Sequence, residues 1–366
     1  MPMNVQDFLI SPGEACKRSG PHDKIVLSSR VRLARNLKGA PFPGHAKKGD
    51  RVKSLEVLLP ALAGLPQLAP KPFAEPLEKL SAQDKQILVE RHLISREHAA
   101  KGVGSGLVLN SEESFCVMIN EEDHLRMQAL RPGLQLKQAW LALDGLDTAL
   151  QERVEFAFSD QYGFLTACPT NLGTGIRVSA MLHLPGLVLA EQINQIIQAV
   201  NKLGLAVRGL YGEGTEALGN IFQVSNQQTL GESESEIVER LNKVLLQIIE
   251  HEENARLSQI EKKPKVLLNH VGRAYGILAN AHSISSKETM NLLSLLRLGG
   301  DLGLFTDLPK ALVDELFLLS QPAHLQLRVT DKLDAEQRDA LRADMLRERL
   351  RTVQPPDASK LGAKAE

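Results

Sequence analysis

The chain has 366 residues, of which 43% are hydrophobic and 24% are charged, and its formal net charge is -1. This length and composition fit one large globular core or two domains, and the near-zero charge argues against a general attraction to nucleic acid or to an anionic membrane. Neither a run of roughly 18 uncharged apolar residues, which a membrane helix needs, nor a signal-peptide pattern is present, so we expect a cytoplasmic protein with no membrane and no direct nucleic-acid contact.

Strand patterns dominate the chain before residue 230. Short alternating or β-branched runs predict strands at 25–33, 106–110, 114–120, 153–158, 175–184, 203–214 (running into a glycine-rich loop) and 219–226. Helical spacing is found between them, at 51–63, 81–92, 134–150 and 190–203. Because the strands are irregularly spaced and some links are of hairpin length, we expect an α+β fold. Its sheet would be mostly antiparallel and flanked by helices, not a parallel βαβ array.

Helical patterns take over after residue 230, where apolar residues recur at i, i+3 and i+4. We therefore predict an N-terminal segment at 1–22, a mixed domain at 23–256 and an all-helical domain at 257–351. The last stretch, 352–366, is rich in Pro, Ala and Lys without an apolar period, and we expect it to be a disordered tail.

Five arginines recur at strand ends or beside glycine-rich turns. Arg30 and Arg32 are two apart in a predicted strand, so their side chains share one face. Arg177 follows one glycine-rich segment, Arg208 precedes another, and Arg126 follows an acidic cluster. A single arginine at such a place is usually a surface residue. Because the pattern repeats, and because arginine offers bidentate donors to phosphate oxygens, several of the five are expected to converge on a polyphosphate.

Several common site motifs are absent from the sequence. There is no G-x-x-x-x-G-K-[ST] loop, and there is no H-R-D-x-x-x-x-N or D-F-G motif of eukaryotic protein kinases. The three cysteines have neither a disulfide framework nor a paired metal-ligand spacing. If ATP binds, arginines must replace the lysine of the phosphate loop.

Two acidic segments could face a cationic substrate. The cluster NEED (120–123) ends a predicted strand, and Glu213 lies between two glycines. Such a cluster can also be a mere solubilising loop. A guanidinium, whose pKa exceeds about 12, is a poor nucleophile while protonated. Its phosphorylation needs a proton acceptor and a carboxylate that holds the flat cation, while arginines neutralise the transferring phosphoryl group.

Four segments, SSRVRLARN, NEEDHLR, CPTNLGTGIR and RGLYGEG, resemble in order the signatures of the ATP:guanido phosphotransferase (phosphagen kinase) family. The resemblance implies an antiparallel sheet flanked by helices and a reaction that uses ATP and Mg²⁺, with the metal held through ATP. It also implies that Arg30, Arg32, Arg126, Arg177 and Arg208 bind the ATP phosphates.

The same resemblance assigns the remaining site residues. Those that would line the nucleotide pocket are Ser28, Ser29, Val31, His92, Val178, Ser179, Ala180, Met181, Gly209, Leu210, Tyr211 and Gly212. Glu122 and Glu213 would grip the substrate guanidinium. Cys168 would lie near that guanidinium in a supporting role; the alternative is that it is a small buried residue before Pro169.

The acceptor is either a free guanidino metabolite, such as arginine, or a protein arginine. Metabolite-specific members of the family carry a helical domain before the strand that contains SSRVR, and here the SSRVR motif begins at Ser28. With a helical domain after the core instead, the layout resembles bacterial protein arginine kinases. A third hypothesis is a non-enzymatic phosphoarginine-binding adaptor.

The helical region contains an R-D-x-x-R-A motif made of Arg338, Asp339, Arg342 and Ala343. By itself it indicates an amphipathic helix with charges at i and i+4, but the resemblance implies an allosteric phosphoarginine pocket. The resemblance further implies a homodimer, protein substrates with accessible arginines, an AAA+ protease that receives the marked proteins, and a heat-shock repressor among the targets. An activator protein is a further candidate partner.

Overall fold

The computed structural model of the protein describes residues 13, 19–209 and 217–360. Within them, eight strands form one sheet in the order β2-β3-β4-β5-β1-β8-β10-β9, with every neighbouring pair antiparallel, and β6 and β7 form a separate hairpin. The strands are β1 (Val26–Arg35), β2 (Phe73–Pro76), β3 (Gly106–Leu109), β4 (Phe115–Ile119), β5 (Leu125–Pro132), β6 (Phe158–Ser159), β7 (Gly163–Phe164), β8 (Ile176–His183), β9 (Leu205–Gly209) and β10 (Ile221–Asn226).

Helices flank this sheet and are the regular elements of the described chain after β10. They are α1 (Lys48–Ala63), α2 (Ala82–Glu90), α3 (Arg96–Ala99), α4 (Leu136–Gln151), α5 (Pro185–Leu189), α6 (Ile193–Lys202), α7 (Glu234–Lys262), α8 (Pro264–Asn280), α9 (Ser286–Asp301), α10 (Lys310–Leu319), α11 (Pro322–Gln326) and α12 (Ala335–Leu350). The predicted fold class, an antiparallel sheet flanked by helices with a helical C-terminal region, is confirmed.

The two faces of the sheet differ in chemistry because side chains alternate along each strand. On one face, Val31 lies opposite Ala129 and Val178, and all three are buried in the main apolar core. Helix α4 covers this face with a buried stripe that includes Leu143 and Leu150. The opposite face therefore receives the intervening residues of β1, which include Arg30 and Arg32.

One predicted strand is wrong. Residues 153–158 form no continuous strand: only Phe158 enters β6, and Phe156 makes an isolated bridge with Leu37. The backbone is instead bonded to the segment that follows β1, from Lys38 N to Glu155 O and from Ala157 N to Asn36 O. Strands β2, β5 and β7 and the short helices α3 and α5 were not predicted.

The helical region has its own apolar core. It is formed by residues such as Leu267, Val271, Leu293, Leu316 and Leu346, separately from the core under the sheet. The expected domain boundary at residue 256 falls inside α7, which continues to Lys262, and α8 starts immediately afterwards at Pro264.

The segment after α12 packs onto this helical core. Val353 is buried and its carbonyl accepts a hydrogen bond from the Tyr275 hydroxyl (2.6 Å), while Asp357 N donates to Leu304 O (2.8 Å). Residues 352–360, expected to be disordered, are therefore held by specific contacts, and 361–366 lie outside the described residues. No helix in the described part of the chain is long and apolar enough to span a membrane.

A buried arginine joins the helical region to the sheet domain. Arg297 of α9 donates to the carbonyls of Asp23 and Lys24 (both 2.8 Å) and pairs with Asp314 of α10 (2.7 Å). Because Arg297 is fully buried and its partners come from both regions, this contact fixes α9 and α10 against the start of β1.

Candidate active site

The strand register brings the predicted arginines to one face of the sheet. Directly opposite residues in a sheet share a face. Arg32 of β1 lies opposite Arg177 of β8, and Arg126 of β5 lies opposite Ala34, two residues further along β1. The Arg30 guanidinium donates to Gln223 Oε1 of β10 (2.9 Å).

These arginines border a polar cleft that encloses about 1050 Å³ of space between protein atoms, including its mouth. Arg30, Arg32, Arg126 and Arg208 all line it, and Arg96 from α3 adds a further cation that the sequence pattern did not indicate. Arg177 lies beside the cleft through its register with Arg32.

The cleft concentrates positive charge in a buried setting. Burial, followed by the charges of Arg177 and Arg126, lowers the pKa of Arg30 to about 10. The pKa of Arg32 is lowered well below its usual range by burial and then by Arg30, Arg126 and Arg177. Within the described residues, the Arg32 Nε is buried without a hydrogen-bond partner. A polyanion would relieve both the mutual repulsion and the desolvation.

His92 lies where this cleft meets a second pocket. Burial and then the Arg30 charge lower its pKa to about 4, so its imidazole is neutral at neutral pH. Its backbone has a positive φ of 59°, and its carbonyl accepts a hydrogen bond from Gln128 of β5 (3.3 Å). The ring can therefore contact a ligand as a neutral aromatic group.

The second pocket is largely apolar and encloses about 910 Å³, including its mouth. It is lined by sheet residues and by residues of the helical region. These include Leu27, Ser28, Leu130, Ser179, Met181, Ile221, Met290, Asp314, Phe317, Leu318 and Gln321. Arg30, His92 and Gln223 line both this pocket and the cleft. The cleft and the second pocket are thus adjacent. Cations predominate in the cleft and apolar groups in the pocket, which Glu90, Arg91 and Glu113 also line.

An acidic loop lies at the Arg126 end of the cleft. Arg126 pairs with the buried carboxylate of Glu121 (2.8 Å) and with Glu122 (3.1 Å), whose side chain is 44% exposed. Burial raises the pKa of Glu122, against the opposing effect of Arg126 and with the help of Asp123 and Glu121. Glu122 is therefore an accessible and comparatively basic carboxylate next to the arginine cluster.

Cys168 is tied to this acidic loop through its chain neighbour. Asp123 Oδ1 accepts a hydrogen bond from Ala167 N (2.7 Å), which places the Cys168 segment beside the Glu122 loop. The half-buried Cys168 thiol lies 3.0 Å from Thr170 Oγ1. Thr229 Oγ1 contacts the carbonyls of Thr170 (3.1 Å) and Leu172 (2.7 Å), so the turn is held from both sides.

Not every predicted residue points into these spaces. The side chains of Val31, Val178 and Ala180 are buried in the core on the opposite face of the sheet. Ser29 also faces that side, where its hydroxyl donates to Gly133 O (2.8 Å). Gly209 ends β9, and Leu210, Tyr211, Gly212 and Glu213 lie outside the described residues. The nucleotide-binding role of these residues remains a prediction.

The R-D-x-x-R-A residues lie on α12 and differ from one another in accessibility. Arg342 is 1% exposed and donates to the carbonyls of Ile284 and Ser320 (both 2.8 Å) and to Asp339 (2.5 Å). Ala343 is buried in the helical core. Arg338 is half-buried, donates to Leu333 O (2.8 Å) and lines a separate cleft together with Lys332 and Arg96.

Comparison with known families gives two matches along the chain. Residues 63–255 match the ATP:guanido phosphotransferase C-terminal catalytic domain, and residues 264–361 match the protein-arginine kinase McsB C-terminal domain. A protein-arginine kinase of Halothermothrix orenii is 45% identical over 331 residues, covering 90% of this chain and 94% of that protein. One of Desulforamulus reducens is 46% identical over 355 residues, covering 96% and 99%.

Two solved structures of kinases with other names are also similar to this chain. The duplicated taurocyamine kinase from Schistosoma mansoni with bound transition state analog components has a TM-score of 0.59 and 31% identity, covering 67% of this chain and 36% of that one. A lombricine kinase has a TM-score of 0.56 and 27% identity, covering 69% and 71%.

Proposed function

Because the chain belongs to the protein-arginine kinase family of ATP:guanido phosphotransferases, we propose that it transfers the γ-phosphoryl group of ATP to arginine side chains of proteins. The observation that carries this proposal is that an arginine-lined cleft and an apolar pocket lie side by side and share Arg30, His92 and Gln223. A ligand that is polyanionic at one end and apolar and aromatic at the other fits both, and ATP has this form.

The arginines supply electrostatic stabilisation. In phosphoryl transfer, charge spreads over the oxygens of the transferring group, and fixed cations that are already desolvated stabilise it without further reorganisation. Arg30 and Arg32 already bear the cost of burial. We assign Arg30, Arg32, Arg126, Arg177 and Arg208 to the ATP phosphates.

The metal ion would arrive with the nucleotide. Among the described residues, no group of three or more His, Cys, Asp or Glu side chains could hold a metal ion. Mg²⁺ usually retains water and is bound mainly through substrate phosphates. The phosphate oxygens of ATP would hold Mg²⁺, which would neutralise part of their charge, while the arginine side chains position them.

Glu122 is assigned as the proton acceptor, with Glu213 as the second carboxylate that holds the substrate. As the guanidinium nitrogen forms its bond to the γ-phosphorus, the bond to the bridging oxygen of ADP breaks and the guanidinium proton passes to a carboxylate. The raised pKa of Glu122 suits a group that receives a proton. Its pairing with Arg126 (3.1 Å) would be exchanged for the substrate guanidinium.

A protein acceptor is supported by relatives named protein-arginine kinase that align with 90% or more of this chain. The second candidate is a free guanidino metabolite such as arginine. It is favoured only by the structural similarity to kinases named for taurocyamine and lombricine, at 31% and 27% identity.

The test compares acceptors directly. An arginine-rich protein and free L-arginine are each incubated with the enzyme and Mg-ATP, and phosphorylated arginines are mapped by mass spectrometry. We expect protein phosphoarginine with the wild-type chain and none with Glu122→Gln. Faster transfer to free arginine than to protein would support a metabolite kinase. If neither acceptor is phosphorylated, the hypothesis of a non-enzymatic phosphoarginine-binding adaptor would be favoured.

We also propose a regulatory and cellular role for the product. Phosphoarginine would bind at Arg338, Asp339 and Arg342 and activate the enzyme, and marked proteins, a heat-shock repressor among them, would be passed to an AAA+ protease or inactivated. We also propose that the protein forms a homodimer. The match of residues 264–361 to the McsB C-terminal domain supports it.

The regulatory part is tested with free phosphoarginine. It should raise the initial rate of protein phosphorylation by the wild-type enzyme but not by Arg338→Ala, and arginine at the same concentration should have no effect. An identical response of both enzymes would contradict the assignment of this site.

A further inference from the structure

We propose that the helical region builds one wall of the adenine pocket, with Phe317 and Met290 contacting the purine base. This inference rests on the proposed use of ATP and names residues that determine nucleotide affinity and selectivity. The phosphate cleft is lined almost entirely by the sheet domain, whereas the apolar pocket is lined by both regions. Recognition of the base would therefore depend on a part of the chain that contributes no phosphate ligand.

The wall and the sheet form one small apolar cluster. Ile221 and Met290 are its buried members, and Leu27, Met181 and Phe317 pack against them while remaining partly accessible. All five side chains line the pocket, the buried pair included. A flat apolar ligand can therefore enter between the sheet face and α9 and α10 without displacing the buried pair.

Several contacts fix the wall in place. The backbone N–H of Gly219 donates to Asn291 Oδ1 (3.0 Å), and a Cβ added at Gly219 would lie 2.9 Å from Met290 O. Gly219 also has a positive φ of 65°, so a side chain here would be both strained and crowded. The backbone of the turn before β10 thus lies directly against the backbone of α9.

The two proposed contact residues are held together by a third. Gln321 Nε2 donates to the carbonyl of Phe317 (2.9 Å) and to the thioether sulfur of Met290 (3.2 Å). On the other side, Ser294 Oγ lies 2.8 Å from His183 Nε2 at the end of β8. The pocket wall is accordingly held by hydrogen bonds within the helical region and to the sheet domain.

The lining chemistry fits a purine. Phe317, Met181 and Met290 offer an aromatic ring and polarisable thioethers, which pack well against a flat π-system. Ser28, Ser179 and Gln223 also line the pocket and supply hydrogen-bonding groups that could contact the polar edge of a base. Arg30 stands at the junction with the cleft, which is where the phosphate chain of a bound nucleotide would leave the pocket.

The experiment separates base recognition from phosphate binding. Calorimetry on the full chain measures the dissociation constants of Mg-ATP and of inorganic tripolyphosphate with Mg²⁺. We expect Phe317→Ala and Met290→Ala to weaken Mg-ATP binding about 3- to 10-fold, the range of a lost aromatic or thioether contact, and to leave tripolyphosphate binding unchanged. Phe317→Leu, which keeps apolar volume and is less disruptive to folding, should show a smaller loss confined to ATP.

The matched control is Leu319→Ala, on the same helix but packed against the helical core and not lining the pocket; it should bind both ligands like the wild type. Unchanged ATP binding in the Phe317 and Met290 variants, or an equal loss of tripolyphosphate binding, would overturn the inference. A wild-type chain that does not bind Mg-ATP would instead overturn the proposed function, so the two failures are distinguishable.

Discussion

Asp123 Oδ1 accepts a hydrogen bond from the backbone N–H of Ala167 at 2.7 Å, across 44 residues of sequence. The same oxygen accepts a second bond from Asn36 Nδ2 at 2.6 Å. Glu122 precedes one end of the Asp123–Ala167 bond and Cys168 follows the other. The relative position of the proposed proton acceptor and the thiol therefore depends on one carboxylate oxygen that itself need not touch the substrate.

Removing the hydrogen bonds accepted by Asp123 should slow catalysis without weakening nucleotide binding. Asp123→Ala loses both bonds of Oδ1, and we expect kcat to fall about 10-fold or more because the acceptor side of the site is no longer held in register. The KM for ATP should change little. Asp123→Asn retains an acceptor oxygen and should lose much less. Steady-state kinetics with varied ATP and varied protein acceptor measure this, and a rise in ATP KM at constant kcat would contradict it.

The pH dependence of phosphoryl transfer should reflect the ionisation of Glu122. Burial, and then Asp123 and Glu121, raise the pKa of Glu122 above its ordinary value of 4.5, while Arg126 acts in the opposite direction. A proton acceptor must be ionised, so kcat/KM for the protein acceptor should fall as the pH drops through this raised pKa. Asp123→Asn removes one negative neighbour, so the acid limb should move to lower pH.

The control for that shift is Glu155→Gln, which removes an exposed carboxylate that pairs with Lys38 and has a 78% exposed side chain. Its profile should superimpose on that of the wild type. An acid limb that stays in place in Asp123→Asn would show that another group limits the rate at low pH.

The arginine face was predictable because it depends on strand alternation. Arg30 and Arg32 are two residues apart, and the two-residue period of a strand is enough to place them on a common face. Strand β5 was missed although it alternates in the same way, since Arg126 and Gln128 occupy its cleft-facing positions and the strand follows an acidic cluster directly. Both faces of β5 therefore lack the simple alternation of apolar and solvent-exposed polar residues by which strands were predicted.

Residues that act through tertiary packing left no signal in the sequence. Phe317 and Met290 have the spacing of ordinary apolar helix positions, and only the packing of α9 and α10 on β10 brings them to Ile221. In the same way, the R-D-x-x-R-A motif predicts a pair of phosphate-binding arginines, but burial separates them: Arg342 binds carbonyls of its own chain. Helical periodicity places both on one face and cannot say which is accessible.

The arginine cluster should cost stability in the absence of ligand. The pKa of Arg32 is lowered by burial and then by Arg30, Arg126 and Arg177, which means that its charged form is less favourable in the folded than in the unfolded chain. At neutral pH, which lies below the pKa of arginine in the unfolded chain, this disfavours folding. Arg32→Gln should therefore raise the melting temperature of the ligand-free protein by roughly 2 °C.

The same substitution should weaken ligand stabilisation. Mg-ADP should raise the melting temperature of the wild type more than that of Arg32→Gln, because the variant lacks a cation at the phosphates. Arg240→Gln, which removes a partly exposed arginine paired with Glu232 (2.7 Å) outside the cleft, should respond to Mg-ADP like the wild type. A lower melting temperature for ligand-free Arg32→Gln would show that Arg32 is a structural cation.

Replacing Arg342 or Arg338 of α12 by alanine should have different effects on stability. Arg342 is buried and satisfies the carbonyls of Ile284 and Ser320, so Arg342→Ala leaves buried acceptors unpaired and should destabilise the protein by about 3 kcal/mol. Arg338 is half-buried and makes one bond, to Leu333 O. Arg338→Ala should change the free energy of unfolding by less than about 1 kcal/mol.

Denaturant unfolding and calorimetric titration with phosphoarginine distinguish their roles. We expect Arg338→Ala to lose phosphoarginine binding in a fully folded protein, whereas Arg342→Ala should lose binding and stability together. Arg342→Lys keeps the charge but not the fork of donors that reaches both carbonyls, so it should not restore stability. If Arg342→Ala proved as stable as the wild type, the bonds to Ile284 and Ser320 would not contribute to folding, and Arg342 would be available to ligand in the same way as Arg338.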